Sequence, residues 1–373
     1  MFKSKKLLLL LMLLLAGLVF VGCRAGTTIP RGWSGGVISD NVLFIASKEG
    51  KLAAIDTSDG SRMGEPVILE ISAPASSFGC TPAASAVAIY GAPAVNGDLV
   101  YVGGYNGKIY AFTFEGDRLR EEPRWVYPRQ GNLDGPIVGG LIVSHGKVYF
   151  GAADGKVYAL DAADGFKEWE FDIGDKIWST PAIAGDTLFV GSFDNKLYAL
   201  NAIDGSKIWE FETEGAIAAT PLIDNSTVYI GSFDRYLYAV DTTDGNQIWQ
   251  FLAENWFWTK PVVYDGTIYA GNLDGKVYAI DTGAGEKLVE FDLGSPLSSS
   301  PVLVGSSVIV ATEDGVLYAL DAETSRQRQL VDLEEKVFAA LAADEGIVYI
   351  HTAQDGLYAV DAQSGAVRQL NIK

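Results

Sequence analysis

The sequence is poor in the residues that form disulfides and bind metals. Its 373 residues include only two cysteines, Cys23 and Cys80, and two histidines, His145 and His351. A disulfide framework needs several cysteines, and a zinc site needs clustered cysteine and histidine ligands. The histidines lie in different parts of the chain, so the sequence predicts no metal site.

Basic residues are scarce relative to acidic ones. The chain has 28 Lys and Arg against 47 Asp and Glu, a formal charge of −19. Residues 1–22 contain three lysines and no acid, so the remainder has 25 basic against 47 acidic residues, a charge of −22. Such a surface repels phosphate backbones and anionic headgroups, which argues against nucleic acid as a partner. Any attachment to a membrane must then come from a lipid.

One long apolar run is present, at the N-terminus. Lysines at positions 3, 5 and 6 precede the run from Leu7 to Val21, which is short for a membrane span and typical of a secretory signal. Gly22 before Cys23 resembles a bacterial lipobox, although Phe20 stands where leucine is usual. We predict a lipoprotein signal peptide over 1–22, lipidation of Cys23, and a linker over 23–32. The alternatives are an uncleaved anchor and an ordinary signal peptide.

If Cys23 carries lipid, Cys80 has no partner for an intrachain disulfide. We interpret Cys80 as a small apolar residue within a loop, Ala73–Val87. Arg24 follows Cys23 where an aspartate would favour retention at the inner membrane. The predicted location is therefore the extracytoplasmic face of a membrane, the outer membrane where the organism has one.

A repeat of forty residues dominates the rest of the chain. The stretch GKVYALDAADGFKEWEF, from Gly155 to Phe171, returns as NKLYALNAIDGSKIWEF and RYLYAVDTTDGNQIWQF. Its tyrosine recurs every 40 residues from Tyr158 to Tyr358, and Tyr110 and Ala53 mark two earlier, divergent copies. Eight copies with strand-like content predict an all-β protein, an eight-bladed β-propeller of four-stranded antiparallel blades, over residues 33–373.

One period illustrates the predicted strands. We place them at 179–183, 187–191, 196–200 and 207–211, with Asp-Gly and Asn residues supplying the tight turns between them. In the last copy they are expected at 337–343, 347–351, 357–361 and 367–372. Helical periodicity is absent outside the signal segment. The stretches Ala73–Val87 and Gly116–Pro128 break the period, and we interpret both as loops on a propeller face.

The repeats ending in KIWEF and QIWQF resemble the tryptophan-docking repeats of quinoprotein (PQQ-like) propellers. This resemblance implies a structural role between blades for Trp169, Trp209 and Trp249. A lipoprotein of eight such blades also resembles the accessory lipoproteins of outer-membrane β-barrel assembly. Dehydrogenases of the superfamily use a vicinal cysteine pair and a calcium site, and neither is evident here. The sequence therefore predicts no enzymatic activity, no PQQ and no other cofactor.

Positions at which the repeats differ are better candidates for a functional site than positions at which they agree. At the start of the innermost strand the equivalent residues include Trp178, Trp258 and Phe338, and Lys260 stands where other copies have small residues. The segment from Glu254 to Lys260 has three consecutive aromatics. We predict an interaction face that contains Trp178, Arg235, Trp256, Trp258, Lys260 and Phe338. The alternative is that the aromatics of this segment plug the central channel.

These observations favour a lipid-anchored scaffold that docks envelope proteins, including a β-barrel assembly complex, through one face of the propeller. Exposed aromatic residues beside an arginine are typical of docking surfaces. A second hypothesis is that a small molecule, glycan or quinone binds at the channel mouth near Trp178, Trp258 and Lys260. A third is a degenerate PQQ-dependent dehydrogenase.

Overall fold

The computed structural model describes residues 32–47, 49–69 and 87–372, which belong to one compact unit, Arg31–Lys373. These residues form β-strands and turns, with no helix in the described ranges. None of them therefore belongs to a helix of the length and hydropathy that a membrane crossing requires. The predicted signal peptide, Cys23 and Cys80 lie outside the described residues, as does Ala73–Val87 apart from its last residue.

The strands are numbered in chain order, four to a blade. Blades 1 to 4 comprise β1–β4 (Val37–Ser39, Val42–Ala46, Lys51–Asp56, Val67–Ile68), β5–β8 (Ala94–Asn96, Leu99–Gly104, Lys108–Thr113, Trp125–Tyr127), β9–β12 (Ile142–Ser144, Lys147–Gly151, Lys156–Asp161, Lys167–Asp172) and β13–β16 (Ala182–Ala184, Thr187–Gly191, Lys196–Asn201, Lys207–Glu212). Blades 5 to 8 comprise β17–β20 (Leu222–Asp224, Thr227–Gly231, Tyr236–Asp241, Gln247–Leu252), β21–β24 (Val262–Tyr264, Thr267–Gly271, Lys276–Asp281, Lys287–Asp292), β25–β28 (Val302–Val304, Ser307–Ala311, Val316–Asp321, Arg326–Asp332) and β29–β32 (Ala342–Asp344, Ile347–His351, Leu357–Asp361, Val367–Leu370).

Each blade is an antiparallel sheet in which the strands pair in sequence order. For most pairs of neighbouring blades the first strands contact one another around the axis, and β1 contacts β29 to complete the circle. The predicted eight-bladed, all-β propeller is therefore confirmed for the described residues. The second and third strands are the most buried, since neighbouring blades cover both of their faces.

The innermost strands begin later than the sequence predicts. In blade 4 the strand starts at Ala182 rather than Ser179, and in blade 8 it starts at Ala342 rather than Val337. Pro181 has no N–H to donate to a ladder. Thr180 instead uses its Oγ1 to accept a hydrogen bond of 2.7 Å from the Gly140 backbone N–H of the preceding blade. These residues therefore join blades to one another rather than extending a sheet.

The outer part of the sheets also differs in two places from the prediction. Gly116–Pro128 is not a loop throughout, since its Trp125–Tyr127 segment is the fourth strand of blade 2 and pairs with β7. The last strand ends at Leu370 rather than Ile372.

Trp169, Trp209 and Trp249 pack between blades. Their indole Nε1 atoms donate to the backbone carbonyls of Ala202, Thr242 and Thr282 in the next blade, at 3.1, 3.1 and 2.8 Å. Each ring also covers a glycine of that blade that has positive φ, at positions 205, 245 and 285. Because each contact needs both the indole and a residue without a side chain, the Trp and the glycine turn of the next blade form one unit that recurs from blade to blade.

The repeated tyrosines serve the same blades. The hydroxyl of Tyr238 donates to Asp234 Oδ2 at 2.8 Å, and the other oxygen of Asp234 accepts the Tyr236 backbone N–H. Tyr158, Tyr198 and Tyr278 make the equivalent bond to Asp154, Asp194 and Asp274. Burial, together with this bond, raises the pKa of the Tyr238 phenol above its ordinary value. These aspartates are therefore engaged in holding their own turns.

The ring closes without sharing a strand between the first and last blades, since β4 pairs with β3 and β32 pairs with β31. An apolar cluster from blades 1 and 8 fills the junction. Within it, His351 is buried, with Nδ1 3.0 Å from the Ser34 carbonyl and Nε2 3.1 Å from Asp355 Oδ1. Arg368 donates from Nη1 to the Asp59 carbonyl at 2.6 Å. Side-chain contacts, rather than backbone pairing, therefore hold this junction.

Candidate functional site

Two sets of connections share one face of the propeller. One set leads from the outer strand of a blade to the inner strand of the next, and the other joins the second and third strands within a blade. Backbone hydrogen bonds link the two sets, as from Ile217 N–H to the Ser192 carbonyl at 2.9 Å and from Phe233 N–H to the Ala216 carbonyl at 3.0 Å. We call this surface the channel face. Because successive strands of a blade run antiparallel, the two sets of connections lie at the same end of each blade.

A cavity of about 460 Å³ opens at the mouth of the central channel on this face. Every blade contributes one residue to each of two rings that line it. The first ring consists of Trp33, Tyr90, Val138, Trp178, Ala218, Trp258, Ser298 and Phe338. The second, two residues further along each chain segment, consists of Gly35, Ala92, Gly140, Thr180, Thr220, Lys260, Ser300 and Ala340. The cavity thus has an aromatic rim above a floor of small residues.

Lys260 is the exception on that floor. Its side chain is accessible from the lumen, but protein surrounds the narrow channel, and this desolvation lowers the pKa of the ammonium below its usual range. In the described part of the chain no carboxylate lies within ion-pairing distance of it. The other ionisable groups that line the cavity are the phenols of Tyr90 and Tyr105 in blade 2, which is opposite blade 6 in the ring.

Aromatic side chains on the channel face form two clusters. The first spans blades 4 to 6: Trp178 contacts Phe193, Phe193 contacts Phe233, and Phe233 lies against both Trp256 and Trp258. The second spans blades 8, 1 and 2, where Trp33 contacts both Phe338 and Tyr90, and Tyr90 contacts Tyr105. Blades 3 and 7 separate them with Val138 and Ser298 in the first ring. The rim is therefore asymmetric although the fold is repetitive.

The three consecutive aromatics of blade 6 point to three different places. Trp256 is 43% exposed on the channel face, whereas Phe257 is 1% exposed and packs against Gly231 of blade 5. Trp258 lines the cavity. Of the three, only Trp258 therefore lies at the channel, and only Trp256 is largely exposed beside it.

The predicted face residues divide into two groups. Trp178, Trp258, Lys260 and Phe338 meet at the cavity. Trp256 and Arg235 lie outside it, and Arg235 occupies an exposed turn with φ of 78°.

Sequence reasoning missed five aromatics that the structure places on the same face, namely Trp33, Tyr90, Tyr105, Phe193 and Phe233. Aligning the divergent first two copies at the start of the inner strand would have identified Trp33 and Tyr90. Comparing the turns between the second and third strands of each repeat would have identified Tyr105, Phe193 and Phe233.

The ionisable groups that line the cavity are one amine and two phenols. No Asp, Glu, His or Cys is among the residues that line it, so no carboxylate or imidazole is placed there to act as a general base. Within the described ranges, no three His, Cys, Asp or Glu side chains are positioned to hold a metal ion. Two buried polar atoms of cavity residues, Trp178 Nε1 and Ser298 Oγ, have no hydrogen-bond partner among the described residues.

The family model described as "Outer membrane protein assembly factor BamB" matches residues 24–171 and 153–367. No curated protein matches the chain. Among solved structures, BamB from Moraxella catarrhalis is similar with a TM-score of 0.70 and 19% identity, over 87% of this chain and 92% of that one. The computationally designed Ika8 protein has a TM-score of 0.70 and 18% identity, over 88% and 95%. Saccharomyces cerevisiae Sqt1 has a TM-score of 0.65 and 15% identity, over 74% and 83%. At these identities the structural likenesses show the fold, and the expected resemblance to PQQ-like repeat propellers is confirmed.

Proposed function

Because the chain belongs to the family of PQQ-like repeat propellers described as outer membrane protein assembly factor BamB, we propose that it is a non-enzymatic scaffold of the cell envelope. It docks other envelope proteins through its channel face and takes part in the assembly of outer-membrane β-barrels. A lipid on Cys23 attaches it to the membrane, on the extracytoplasmic side. The fold supports a rigid platform, since eight blades closed in a ring hold their connecting loops in fixed positions.

The aromatic cluster of blades 4 to 6 is the observation that carries this proposal. Trp256 is 43% exposed while its ring stacks on Phe233, so a large flat side chain is held in place before any partner arrives. Tryptophan and arginine are the residues most enriched at the energetic centres of interfaces, and a pre-ordered side chain loses little entropy on binding. Arg235, in the turn two residues after Phe233, adds an exposed cation to this apolar patch.

The partner surface that fits this patch is folded and apolar, with a carboxylate opposite Arg235. The patch lies on a chain with a net charge of −19, so a carboxylate-rich partner would be repelled elsewhere and would gain only at Arg235. The proposal therefore expects a partner with one acidic residue beside aliphatic ones. A wholly acidic surface does not fit.

The experiment is affinity purification of the lipidated chain from detergent-solubilised envelopes. The parent should recover a β-barrel assembly factor, and the double variant Trp256→Ala/Arg235→Ala should lose it. Ile208→Ala is the matched control, because Ile208 is an exposed apolar residue on the outer strand β16, away from the channel face. Failure of the folded, lipidated parent to retain any envelope protein would refute the scaffold function.

The anchor has its own test. In a chain whose residues 1–22 are replaced by a cleavable secretory signal, Cys23→Ser should place the protein in the soluble fraction with the propeller folded, whereas the parent stays in the membrane fraction. Retention in the membrane fraction after high-salt washing would show that attachment does not depend on this cysteine.

A further inference from the structure

The cavity on the channel face has the properties of a ligand site that docking does not require. Its volume of about 460 Å³ falls in the range of small-molecule pockets, which are mostly apolar with a few convergent polar groups. The rim of Trp178, Trp258 and Phe338 supplies flat apolar surfaces, and the floor supplies hydroxyl groups and one amine. Neither feature follows from the blade repeat, because the first ring varies from tryptophan to alanine and Lys260 stands where the other blades have small residues.

We propose that this cavity binds a carboxylate joined to an aromatic ring, with the carboxylate on Lys260 and the ring against the tryptophans of the rim. The carboxylate could belong to a free small acid or to a protein loop that presents an acidic and an aromatic residue. This inference does not rest on the scaffold function, since it concerns binding to the purified propeller alone.

Lys260 identifies the charge of the ligand. Its ammonium lies on the floor of the channel among residues without charge, and no carboxylate of the described chain pairs with it. An amine placed in a confined, poorly solvated site costs free energy that an anion would recover. Desolvation inside the channel lowers the pKa of Lys260, and a bound carboxylate would raise it again.

The site also limits the number of negative charges that the ligand can carry. One ammonium can neutralise one carboxylate, and Tyr90 and Tyr105 on the opposite side of the cavity offer hydroxyl groups but no positive charge. The rest of the protein is acidic, so a polycarboxylate would carry uncompensated charge into a negative field. The site therefore favours a monoanion.

The cavity wall holds unused donors. The Trp178 indole N–H and the Ser298 hydroxyl are buried and make no hydrogen bond within the described protein. Buried polar groups usually have partners, and exceptions call for an explanation. Both side chains line the cavity, so these two donors are candidates for hydrogen bonds to a ligand.

The test is a titration of the purified propeller with 4-fluorophenylacetate, followed by fluorine NMR and calorimetry. We expect saturable binding that Lys260→Met weakens at least tenfold. Lys176→Met should bind like the parent, because Lys176 is an exposed lysine that does not line the cavity. The neutral analogue 4-fluorophenylacetamide should bind weakly and equally to the parent and to Lys260→Met.

A competing probe separates the two sources of the carboxylate. If acetyl-Glu-Phe-amide displaces 4-fluorophenylacetate in a Lys260-dependent way, the natural ligand is a protein segment, and if it does not, the ligand is a free acid. The proposal is overturned if neither probe binds saturably, or if Lys260→Met binds as well as the parent. Tighter binding of benzene-1,3,5-tricarboxylate would overturn the preference for a monoanion.

Discussion

The indole of Trp256 stacks on the phenyl ring of Phe233, with ring centroids 4.6 Å apart and planes inclined by 13°. Phe233 comes from a turn inside blade 5, and Trp256 comes from the segment that leads into blade 6. The contact therefore ties two loops of the channel face together while one face of the indole stays exposed. An aromatic pair that packs this way contributes to loop order as well as to any docking surface.

The stacked pair should show energetic coupling. Trp256→Ala and Phe233→Ala should each destabilise the propeller, and the double variant should lose less than the sum, with a coupling of about 0.5–1.5 kcal/mol. The measurement is the free energy of unfolding from denaturant titrations followed by circular dichroism. Additive losses would mean that the two rings are neighbours without a stabilising contact.

The glycines under the docking tryptophans should be more sensitive than other turn glycines. Gly245 has φ of 74°, and a Cβ there would lie 2.8 Å from the Trp209 ring. Gly266 has φ of 71°, and a Cβ there would be 3.8 Å from its nearest neighbour. Gly266→Ala should therefore cost about 1–2 kcal/mol through backbone strain alone, and Gly245→Ala should cost more. Thermal denaturation of both variants checks the order, and equal losses would contradict it.

Two buried tyrosines should make the propeller sensitive to alkali. Burial raises the pKa of Tyr101 and that of Tyr149 to about 12, and their hydroxyls donate to the carbonyls of Ala162 and Ala202 in the next blade. The unfolded chain loses these protons near pH 10. Between about pH 10 and 12 the unfolded state therefore binds fewer protons than the folded state, and stability falls as pH rises.

The double variant Tyr101→Phe/Tyr149→Phe should show a shallower fall in unfolding free energy across that pH range. At pH 7 it should lose roughly 0.5–1.5 kcal/mol per hydrogen bond. The loss should lie at the low end, because Trp125 and Trp169 still donate to the same two carbonyls. An unchanged alkaline slope would show that other groups cause it.

The junction of blades 8 and 1 should open when its buried histidine is removed. His351→Asn shortens the side chain that reaches both the Ser34 carbonyl and Asp355, and we expect a loss of about 1–3 kcal/mol. Because no connecting segment joins blades 8 and 1, whereas one joins every other pair of neighbouring blades, hydrogen exchange should accelerate first in β1 and β29. His145→Asn is the control, since His145 Nε2 lies 3.2 Å from Asp186 Oδ1 at the surface and this contact should matter little. Uniform acceleration around the ring would contradict a weak junction.

The lysine in the channel should destabilise the protein at neutral pH. Since desolvation lowers the pKa of Lys260, the unfolded chain holds this proton up to about pH 10.4 while the folded chain releases it earlier. Between the lowered pKa of the folded state and about pH 10.4, the unfolded state binds more protons than the folded state. The free energy of unfolding therefore rises with pH, and the destabilisation by the charged ammonium disappears. Lys260→Met should therefore raise the melting temperature at pH 7, on the order of 1 °C.

The difference in melting temperature between Lys260→Met and the parent should shrink as the pH approaches 10, because the lysine of the parent then becomes neutral. Melting curves at several pH values, with Lys176→Met as the control, test this. A variant that is less stable than the parent at pH 7 would show that the ammonium has a favourable partner.

Much of the candidate site was predictable from differences between repeats. Trp178, Trp258, Lys260 and Phe338 occupy equivalent positions in regular copies, and the structure brings them to one cavity. Trp33 and Tyr90 escaped detection because the spacing between the first copies is irregular, so their register could not be read from a period of forty. Phe193 and Phe233 escaped because two adjacent turns share the sequence Gly-Ser-Phe-Asp and so appeared to be part of the repeat.

The sequence by itself determined the eight blades, because strand patterning, Asp-Gly turns and the docking tryptophans act within a blade or between a blade and its neighbour. These interactions join residues that are at most about one repeat apart in the sequence. Each repeat therefore contains the residues that form its own blade and its contact with the next blade. Only the tertiary structure decided which residues share the channel. Closing the ring brings one residue from each blade to a common axis, and closure depends on side-chain packing between the first and last blades, which no repeat encodes. The channel that contains Lys260 exists only once the ring is complete.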